Sequence, residues 1–449
     1  MKESNFLEKL LTIGRKIIPR KLFKAAQPIY HYTLAVAGAV IYRLPAKKLT
    51  VIGVTGTKGK STTVEIVNSI LEEAGKKTAL ASTIRYKIGS REWKNMFKMT
   101  LRGRFFTQRF LRQALDAGCT HAVIEVSSEG VPQYRHKFLF LDALIFTNLA
   151  PEHIESHGSY ENYVKAKLAI ARELENSKNE DMESSRKHAP VLIVNSDDKE
   201  SGRFLNLNVK NKVSYSIKKA LNVRADEKGS SFQVDKMVVH SNLSGIFNVY
   251  NMLGAIAYAK FLGIPEHIIK TALEKIDSIK GRAEKINEGQ NFAVVVDYAH
   301  TPDSLRSIYE TYKKEKYYII GVLGNTGGGR DKWKRPEMGK IADKNCNEVI
   351  LTNEDPYDED PMMIIQEVRA GIKKKPVQII IDRRAAIRAA LEKARALRLA
   401  SLAQGPRDNK IAVLITGKGT DPYIMGPNGS KTPWDDATVA KEELQKILK

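Results

Sequence analysis

Short apolar runs of strand length alternate with helical patterns along most of the chain. In the first series, the apolar runs cover Leu49–Val54, His121–Val126, Ala143–Phe146 and Val191–Val194. Buried strands that alternate with helices are typical of an open parallel sheet covered by helices on its faces. The pattern therefore predicts an α/β fold with a central parallel-sheet domain at residues 49–280.

A second series of apolar runs begins near Phe292 and predicts another doubly wound unit. Its strand candidates are Val294–Val296, Tyr318–Leu323, Val349–Leu351, Val377–Ile381 and Ala412–Ile415. Turns rich in Gly, Asp and His follow several of these strands, at the edge where open α/β sheets bind ligands. We therefore expect a Rossmann-like C-terminal domain at residues 281–449, with a hinge at Lys280–Arg282.

Residues 1–48 form a basic, apolar N-terminal segment. Ten Lys and Arg residues face two Glu residues, a net charge of 10 − 2 = +8. Apolar residues from Phe6 to Ile18 recur at helical spacing and predict a basic amphipathic helix that ends near Pro19. The next apolar stretch, Ile29–Leu44, is shorter than a membrane span of about 20 residues and lacks a secretory cleavage site. We favour a helical hairpin packed on the central domain over docking on an anionic membrane surface.

Composition narrows the class of protein. Hydrophobic residues at 42% and charged residues at 28% of 449 are typical of a soluble globular protein. The only cysteines, Cys119 and Cys346, exclude a disulfide framework and indicate a reducing cytoplasm. The net charge of +22 favours anionic partners. Because the chain has neither zinc-finger spacing nor an aromatic-and-basic RNA-binding signature, we expect no nucleic-acid partner.

The clearest chemical motif is the glycine-rich turn that follows the first apolar run and leads into a helical pattern. Backbone N–H groups of such a turn attract phosphates, Lys60 can reach the β- and γ-phosphates, and Ser61 can bind Mg²⁺. Two residues separate Gly56 from Gly59, whereas the usual motif has four. The predicted ATP-binding residues of this loop are Gly56, Thr57, Lys58, Gly59, Lys60, Ser61 and Thr62.

Two polar residues follow neighbouring strands and could reach this loop. Glu125 ends one predicted strand, and His153 follows the next. Such groups suit Mg²⁺ shared with a phosphate. Judged on its pattern alone, Lys167 is expected to be a surface lysine on a helix.

Together these motifs resemble those of the Mur ligases. They occur in order as T-G-T-K-G-K-S-T-T, E-V-S-S at Glu125, F-T-N-L-x-x-x-H at Phe146, H-G-x-x-x-x-Y-x-x-A-K at His157, F-N-x-x-N at Phe247, G-R-A-E at Gly281, D-Y-A-H-T-P-D-S-L at Asp297, G-R-D-K-x-K-R-P at Gly329 and G-K-G at Gly417. Mur ligases are ATP-dependent amide-forming enzymes of peptidoglycan precursor synthesis. Within the family the chain is most similar to the MurE-type branch, which adds the third residue of the stem peptide.

The resemblance implies roles for individual residues. It implies that Lys60 and Ser61 hold ATP and Mg²⁺, that Glu125 and His153 complete the metal sites, and that Lys167 is carbamylated and so offers Mg²⁺ an oxygen ligand. The implied catalytic residues are Lys60, Lys167 and His300. Further ATP contacts are implied for residues of the later motifs, namely Asn251, Arg282, Arg330, Asp331 and Lys332.

The implied reaction joins a carboxylate to an amine. The γ-phosphate of ATP activates the carboxylate as an acyl phosphate, and an amine attacks to give an amide, ADP and phosphate. Mg²⁺ and Lys60 would stabilise the transferring charge, and closure of the last domain would exclude water.

The acceptor motif departs from the family pattern at one position. Ser127, Gln133 and Arg135 match residues that hold the muramoyl-peptide acceptor. Glu129 stands where a histidine is usual.

The motifs for the incoming amino acid depart more strongly. Asp355 and Tyr357 belong to E-D-P-Y where the family has D-N-P-R, so a phenol replaces the guanidinium that pairs with the distal carboxylate of diaminopimelate. Gly417 and Asp421 belong to G-K-G-T-D, in which Thr-Asp replaces His-Glu. We therefore expect that the amino acid is not bound in the standard diaminopimelate manner, and lysine or another amino acid remains open.

Three functions remain open at this stage. The first is a peptide ligase for a muramoyl-peptide acceptor and an amino acid. The second is a ligase or amidating enzyme for a lipid-linked or other non-UDP acceptor, because fewer than fifty residues precede the first sheet. The third is a non-catalytic nucleotide- or nucleic-acid-binding relative. Intact Lys60, Glu125, His153 and Lys167 argue against the third function. The motifs around Arg135 and Asp355 favour the first over the second. We expect a cytoplasmic monomer whose residues 1–48 could touch the inner face of the membrane.

Overall fold

Two open sheets, each covered by helices, form the framework of the protein. The structure is a computed structural model that describes residues 20–152, 154–175, 189–403 and 410–449. The predicted basic helix before Pro19 lies outside the described residues, as does His153. Within them, no helix combines the length and apolarity that crossing a bilayer requires.

The central sheet has eight strands. They are β1 (Thr50–Thr55), β2 (Thr78–Ala81), β3 (Arg85–Ile88), β4 (Arg91–Lys94), β5 (His121–Glu125), β6 (Ala143–Phe146), β7 (Val191–Asn195) and β8 (Asn211–Tyr215). Their order across the sheet is β4-β3-β2-β5-β1-β6-β7-β8. The six strands from β2 to β8 in this order run parallel, whereas β3 and β4 form an antiparallel edge.

Alternate residues of these strands bury two different apolar faces. Val51, Ile124 and Leu144 belong to one core cluster, while their neighbours Ile52 and Val123 belong to the other. Because a strand points successive side chains to opposite faces, the sheet is buried on both sides. That burial explains why the strands are apolar runs instead of alternating patterns.

Thirteen α-helices lie in the described residues. They are α1 (Arg20–Ile41), α2 (Lys60–Glu73), α3 (Arg104–Asp116), α4 (Ile154–His157), α5 (Tyr160–Arg172), α6 (Ser201–Leu205), α7 (Ile246–Phe261), α8 (Glu266–Glu274), α9 (Pro302–Lys314), α10 (Lys334–Asn345), α11 (Pro361–Arg369), α12 (Arg383–Ala403) and α13 (Asp436–Leu448). The helix α1 continues through Pro28 and packs on α3, with Ala35 and Ala39 buried. The predicted packing of this apolar stretch on the central unit is therefore observed.

A small antiparallel sheet follows the central one and was not predicted from the sequence. Its strands are β9 (Leu221–Ala225), β10 (Ser230–Val234) and β11 (Met237–Ser241). Phe232 and Val239 alternate with exposed residues and pack against the core beneath α7. The strands are short and only half apolar, so periodicity over this stretch is weak.

The C-terminal sheet has six strands and its own two cores. Its strands are β12 (Glu284–Lys285), β13 (Ala293–Asp297), β14 (Tyr318–Leu323), β15 (Glu348–Leu351), β16 (Val377–Ile379) and β17 (Ile411–Thr416), in the order β12-β13-β17-β14-β15-β16. Only β12 is antiparallel. A hairpin of β18 (Tyr423–Met425) and β19 (Lys431–Pro433) follows. The predicted α/β fold with a Rossmann-like C-terminal unit is confirmed.

Candidate active site

The carboxyl ends of both parallel sheets face one cleft of about 920 Å³. Its walls include the glycine-rich loop after β1, the turns after β5 and β6, and the turns after β13, β14 and β15. Ligands of open α/β sheets collect at this edge. The two units therefore face each other across the place where each is expected to bind ligands.

The two glycines of the loop after β1 are required by its geometry. Gly56 has φ +147°, and a Cβ there would lie 2.0 Å from Thr147 Oγ1. Gly59 has φ +81°, and a Cβ there would lie 2.1 Å from Asn251 Oδ1. Only glycine combines such backbone angles with such close neighbours. The loop is thus pressed between the end of β6 and helix α7.

Hydrogen bonds from the turn after β6 hold this loop in shape. Thr147 Oγ1 donates to Lys58 O at 2.7 Å, and Asn148 Oδ1 accepts from Lys58 N at 3.0 Å. Lys60 Nζ donates to the carbonyl oxygens of Gly56 and Thr57 at 3.0 and 2.9 Å. Gly59 is the N-cap of α2, so the positive end of that helix adjoins the loop. Such a loop can cradle phosphates.

Ser61 and Glu125 form an oxygen-rich pair at the mouth of the loop. Glu125 is buried, and its Oε2 accepts from Ser61 Oγ, Thr83 N and Thr83 Oγ1, each at 2.9 Å. Arg282 of the C-terminal unit donates to Ser61 Oγ at 3.3 Å, and its guanidinium lies over the Tyr298 ring. The hinge arginine thus contacts the loop directly.

Lys167 is buried, so the expectation of a surface lysine was wrong. It is 1% exposed, and its Nζ donates to Gly56 O at 2.9 Å. The Tyr163 ring lies 5.0 Å from the same atom. Burial, together with the nearby charge of Lys60, places the pKa of Lys167 well below its usual value. Burial therefore favours the uncharged amine form of Lys167 next to the loop.

Glu152 links the loop to the C-terminal unit. Its carboxylate accepts from Lys58 Nζ and lies 3.0 Å from His300 Nε2. His300 Nδ1 faces Tyr298 O at 2.7 Å, and Lys334 Nζ donates to His300 O at 3.1 Å. Burial lowers the pKa of Lys58 to about 8 against the opposing effect of Glu152, and burial and Lys58 lower the pKa of His300 to about 3.

Of the other predicted nucleotide contacts, some line the cleft and Lys332 does not. Asn251, Arg330 and Asp331 line the cleft. Arg330 Nη1 lies 3.4 Å from Glu129 Oε1, and Asp331 Oδ1 accepts from Glu155 N at 3.1 Å. Lys332 instead pairs through its Nζ with Glu359 at 3.2 Å. Lys334, two residues further on, lines the cleft at the end of this motif.

The predicted acceptor residues lie beside the cleft, next to helix α1. Ser127 lines the cleft. Arg135 donates from Nε and Nη2 to Gln133 Oε1 at 3.0 and 2.7 Å, and from Nη1 to Leu101 O at 2.8 Å. The Tyr32 ring of α1 packs edge-on against Tyr134. The acceptor loop therefore adjoins the N-terminal helix.

The predicted amino-acid residues form a pocket of alternating charges. Lys418 is fully buried, and its Nζ contacts Asp355 Oδ1 at 2.8 Å, Asp421 Oδ2 at 3.0 Å and Tyr423 O at 2.6 Å. Tyr357 lines the same cleft. Gly417 lies against Glu354, whose Oε2 is buried without a hydrogen-bond partner.

Several site residues were missed because each becomes visible only in three dimensions. Thr83, Glu152 and Lys98 are ordinary polar residues in sequence, and none belongs to a spaced motif that predicts chemistry. Glu152 could have been suspected from its position beside His153, after a buried strand. Lys98 and Thr83 carry no comparable signal.

Family models match both units of the chain. The Mur ligase middle domain matches residues 54–259, and the Mur ligase glutamate ligase domain matches residues 281–419. The chain belongs to the Mur ligase family. It is therefore an ATP-dependent ligase that forms amide bonds.

Individual relatives are similar over most of this Mur ligase. It is 36% identical to a UDP-N-acetylmuramoyl-L-alanyl-D-glutamate–2,6-diaminopimelate ligase of Aquifex aeolicus, over 89% of this chain and 78% of the relative. It is 33% identical to a UDP-N-acetylmuramyl-tripeptide synthetase of Roseiflexus sp., over 94% of this chain and 83% of that one. Both relatives are MurE-type ligases by name, so the predicted resemblance to that branch is supported.

Solved structures agree with the fold. A 2,6-diaminopimelate ligase of the same type matches with a TM-score of 0.58 and 26% identity, over 89% of this chain and 79% of the other. MurF from Acinetobacter baumannii matches with a TM-score of 0.63 and 19% identity, over 86% of this chain and 77% of the other. At that identity the second likeness concerns the fold alone.

Proposed function

We propose that this Mur ligase adds one amino acid to a muramoyl-peptide precursor of the cell wall, through an acyl phosphate made with ATP. One observation carries the proposal. The phosphate loop at residues 57–61 and the charged pocket at Asp355 and Asp421 line the same cleft, from opposite units. A carboxylate activated at the loop would therefore meet an amine held at the pocket without leaving the cleft. Closure of the two units would exclude water from the cleft.

The residues of the chain would divide this work among them. Lys60 lies against the loop and would stabilise charge on the transferring phosphoryl group. Arg282 and His300 belong to the C-terminal unit and contact Ser61 and Glu152 of the central unit. They would therefore complete the nucleotide site when the two units close. Asn251, which lies against Gly59 and lines the cleft, would hold the loop and contact the nucleotide.

Mg²⁺ fits the donor set of this cleft. Ser61 and Glu125 present a hydroxyl and a carboxylate in mutual contact, and Mg²⁺ prefers such oxygen ligands. The ion would neutralise phosphate charge when bound. Among the described residues, no group of three or more His, Cys, Asp or Glu side chains is arranged so that it could hold a metal ion. From the Ser61–Glu125 contact and the burial of Lys167, we propose Ser61, Glu125 and a modified Lys167 as protein ligands, with His153 a further candidate.

The modification proposed for Lys167 is a carbamate. A neutral amine attacks carbon dioxide, a nitrogen–carbon bond forms, one nitrogen-bound proton is released, and an anionic carboxylate oxygen results. The burial of Lys167, which lowers its pKa and so favours the neutral amine, supports this step. With ¹³C-labelled bicarbonate, we expect a carbamate signal by NMR that Lys167→Met abolishes. Lys165→Met, on the exposed face of the same helix, should keep the signal; if both variants keep it, the proposal is wrong.

The identity of the amino acid is open within this proposal. Tyr357 offers no guanidinium for a distal carboxylate, so the side chain is not held by the bidentate pair that an arginine makes. Comparable turnover with diaminopimelate and lysine would contradict selective recognition at this pocket.

Phosphate release tests the proposed function. Purified protein would be given Mg²⁺-ATP, UDP-N-acetylmuramoyl-L-alanyl-D-glutamate and a panel of amino acids, with mass spectrometry of the product. We expect the fastest release with one amino acid and a product heavier by that residue. Lys60→Ala should lower kcat at least about 100-fold, since charge stabilisation is lost, whereas the exposed Lys76→Ala should not. Equal silence of wild type and Lys60→Ala across the panel would reject the UDP-linked acceptor.

A lipid-linked acceptor is the second candidate, and helix α1 favours it. Residues 26–41 contain no charged side chain, yet Ile29 is 70% exposed and Val40 and Ile41 are each 62% exposed. Arg43, Lys47 and Lys48 follow directly and are exposed. An apolar face flanked by cations suits an anionic membrane interface. This face also adjoins the acceptor loop through Tyr32.

Vesicle sedimentation tests this second candidate. We expect the full chain to bind vesicles rich in phosphatidylglycerol and not vesicles of phosphatidylcholine alone. Val40→Glu should weaken that binding at least about tenfold by placing a charge in the apolar layer. Val238→Glu, at an exposed valine of β11, should have no effect. Equal binding by all three proteins would remove the support that α1 gives to a lipid-linked acceptor.

A further inference from the structure

Lys98 connects the two units at the pocket for the incoming amino acid. It lies between β4 and α3 of the central unit and has φ +49°, an uncommon angle for a residue with a side chain. Its Nζ lies 2.9 Å from Asp421 Oδ2 and also contacts Asp355 Oδ2, both in the C-terminal unit. Lys98, Asp355, Asp421 and Tyr357 line the same cleft. The central unit thus supplies a cation to a pocket that the C-terminal unit builds.

The two lysines of this pocket differ in how freely they can serve a ligand. Lys418 is fully buried and held by three oxygen acceptors of its own unit, so it is part of the pocket wall. Lys98 also has three oxygen neighbours, the third being Tyr423 O at 3.5 Å, but it is 16% exposed and stands on a segment between secondary-structure elements. It is therefore the cation of the pair that can turn toward a carboxylate in the cleft.

The pocket also holds an unsatisfied acid. Glu354 is 3% exposed, and its Oε2 has no hydrogen-bond partner although the residue lines the cleft. A buried acceptor of this kind is costly unless a donor reaches it. An ammonium group on the incoming amino acid would provide that donor. The carboxylates of Asp355, Asp421 and Glu354 can bind an ammonium group, and Lys98 can bind a carboxylate. The pocket thus suits an amino acid whose side chain carries both groups.

Two neighbouring groups, Tyr357 and Arg330, do not supply the same charge. Tyr357 carries a phenol whose pKa is raised by burial and by Asp355, so it stays neutral. The Arg330 guanidinium lies toward Glu129 on the acceptor side.

We propose that Lys98 is the specificity-determining residue of this pocket: it pairs with the carboxylate of the side chain of the incoming amino acid, while Asp355, Asp421 and Glu354 take its ammonium group. The inference rests on the proposed ligase function. Lys98 belongs to the central unit and the three carboxylates belong to the C-terminal unit, so the pocket is complete only when the two units are in contact.

The test compares two amino acids that differ by one carboxylate, diaminopimelate and lysine, in wild type and Lys98→Ala. We expect Lys98→Ala to lower kcat/KM for diaminopimelate 10- to 100-fold, mainly through KM, which is the range for losing a charged hydrogen bond. The value for lysine should stay within about threefold of wild type. Lys98→Glu should go further and prefer lysine.

Lys94→Ala is the matched control. Lys94 lies on the same side of the central unit and also pairs across to the C-terminal unit, with Asp435 at 2.6 Å, but it lies outside the cleft. Its removal should affect both amino acids equally and slightly.

The outcomes separate this inference from the function beneath it. Equal losses for both amino acids in Lys98→Ala would make Lys98 a clamp between the units and overturn the inference. Product from lysine but not from diaminopimelate in wild type would also overturn it, while the ligase function stood. No product from any amino acid would reject the proposed function itself.

Discussion

At the scale of single residues, Gly59 is the most sensitive position of the phosphate loop. Gly59→Ala adds a Cβ at a positive φ and within 2.1 Å of Asn251 Oδ1, so the loop must move. We expect ATP affinity to fall at least about tenfold, since loop geometry positions the phosphate-binding N–H groups. A fluorescent ATP analogue would measure this.

Gly75→Ala provides the comparison for that change. Gly75 has φ +75° but open space around its Cβ position. It should cost about 1 kcal/mol of unfolding free energy and leave ATP affinity unchanged. Equal loss of ATP affinity in both variants would show that general destabilisation of the protein, and not the contact with Asn251, lowers the affinity.

His136 should make the protein sensitive to mild acid. It is 4% exposed, its Nδ1 has no partner, and burial, helped by Lys137, lowers its pKa to about 4. Because the folded pKa is depressed, the unfolded chain takes up a proton first as the pH falls below about 6.5. Stability is therefore full above that pH and is lost toward pH 4.

Urea unfolding at two pH values would measure this effect. Relative to His136→Asn, wild type should lose about 2 kcal/mol of unfolding free energy between pH 7 and pH 5. Parallel curves for the two proteins would show that the imidazole takes up its proton in the folded state. The Glu173 carboxylate, 3.9 Å from Nε2, is the group that would permit it.

At the scale of elements, α1 has one apolar face that is buried and one that is exposed to solvent. Ala39 is 1% exposed against α3, whereas Val40 points outward. Ala39→Glu should cost at least about 2 kcal/mol of unfolding free energy, because a charge is buried without a partner. Val40→Glu should change it by less than about 0.5 kcal/mol. Denaturant unfolding would compare them, and similar costs would mean that α1 is docked with a different rotation.

At the scale of the molecule, the two sheets have separate cores. The buried members of the two C-terminal clusters come from residues 283–447, and those of the two central clusters from residues 46–279. Phe247 of α7 packs across onto the C-terminal side. We therefore predict that a fragment of residues 281–449 folds alone, as a domain with its own core should.

Circular dichroism and heating would test the fragment. We expect helical and strand signals and one cooperative transition. A broad transition with exposed apolar surface would instead mean that the central unit is needed to complete the C-terminal fold. Phe247 would then be the first contact to examine.

The sequence by itself determined the two α/β units, four strands of the central sheet, five strands of the C-terminal sheet and the phosphate loop. These features depend on local patterns: buried parallel strands read as apolar runs, and Gly56, Gly59, Lys60 and Ser61 lie within one turn. The place of Glu125 at the end of a strand added that residue to the predicted site, and the family motifs added Lys167. The small sheet at β9–β11 escaped it, because its strands are short and only half apolar.

Only the tertiary structure decided which charged groups meet. Lys98 and Asp421 are far apart in the chain, as are Glu152 and His300, and no spacing rule links them. Two lysines illustrate the same point. Lys167, on a helix, is buried beside the loop, whereas Lys332, in a family motif, pairs with Glu359. The physical reason is that burial and pairing depend on contacts between elements, which local patterns do not encode.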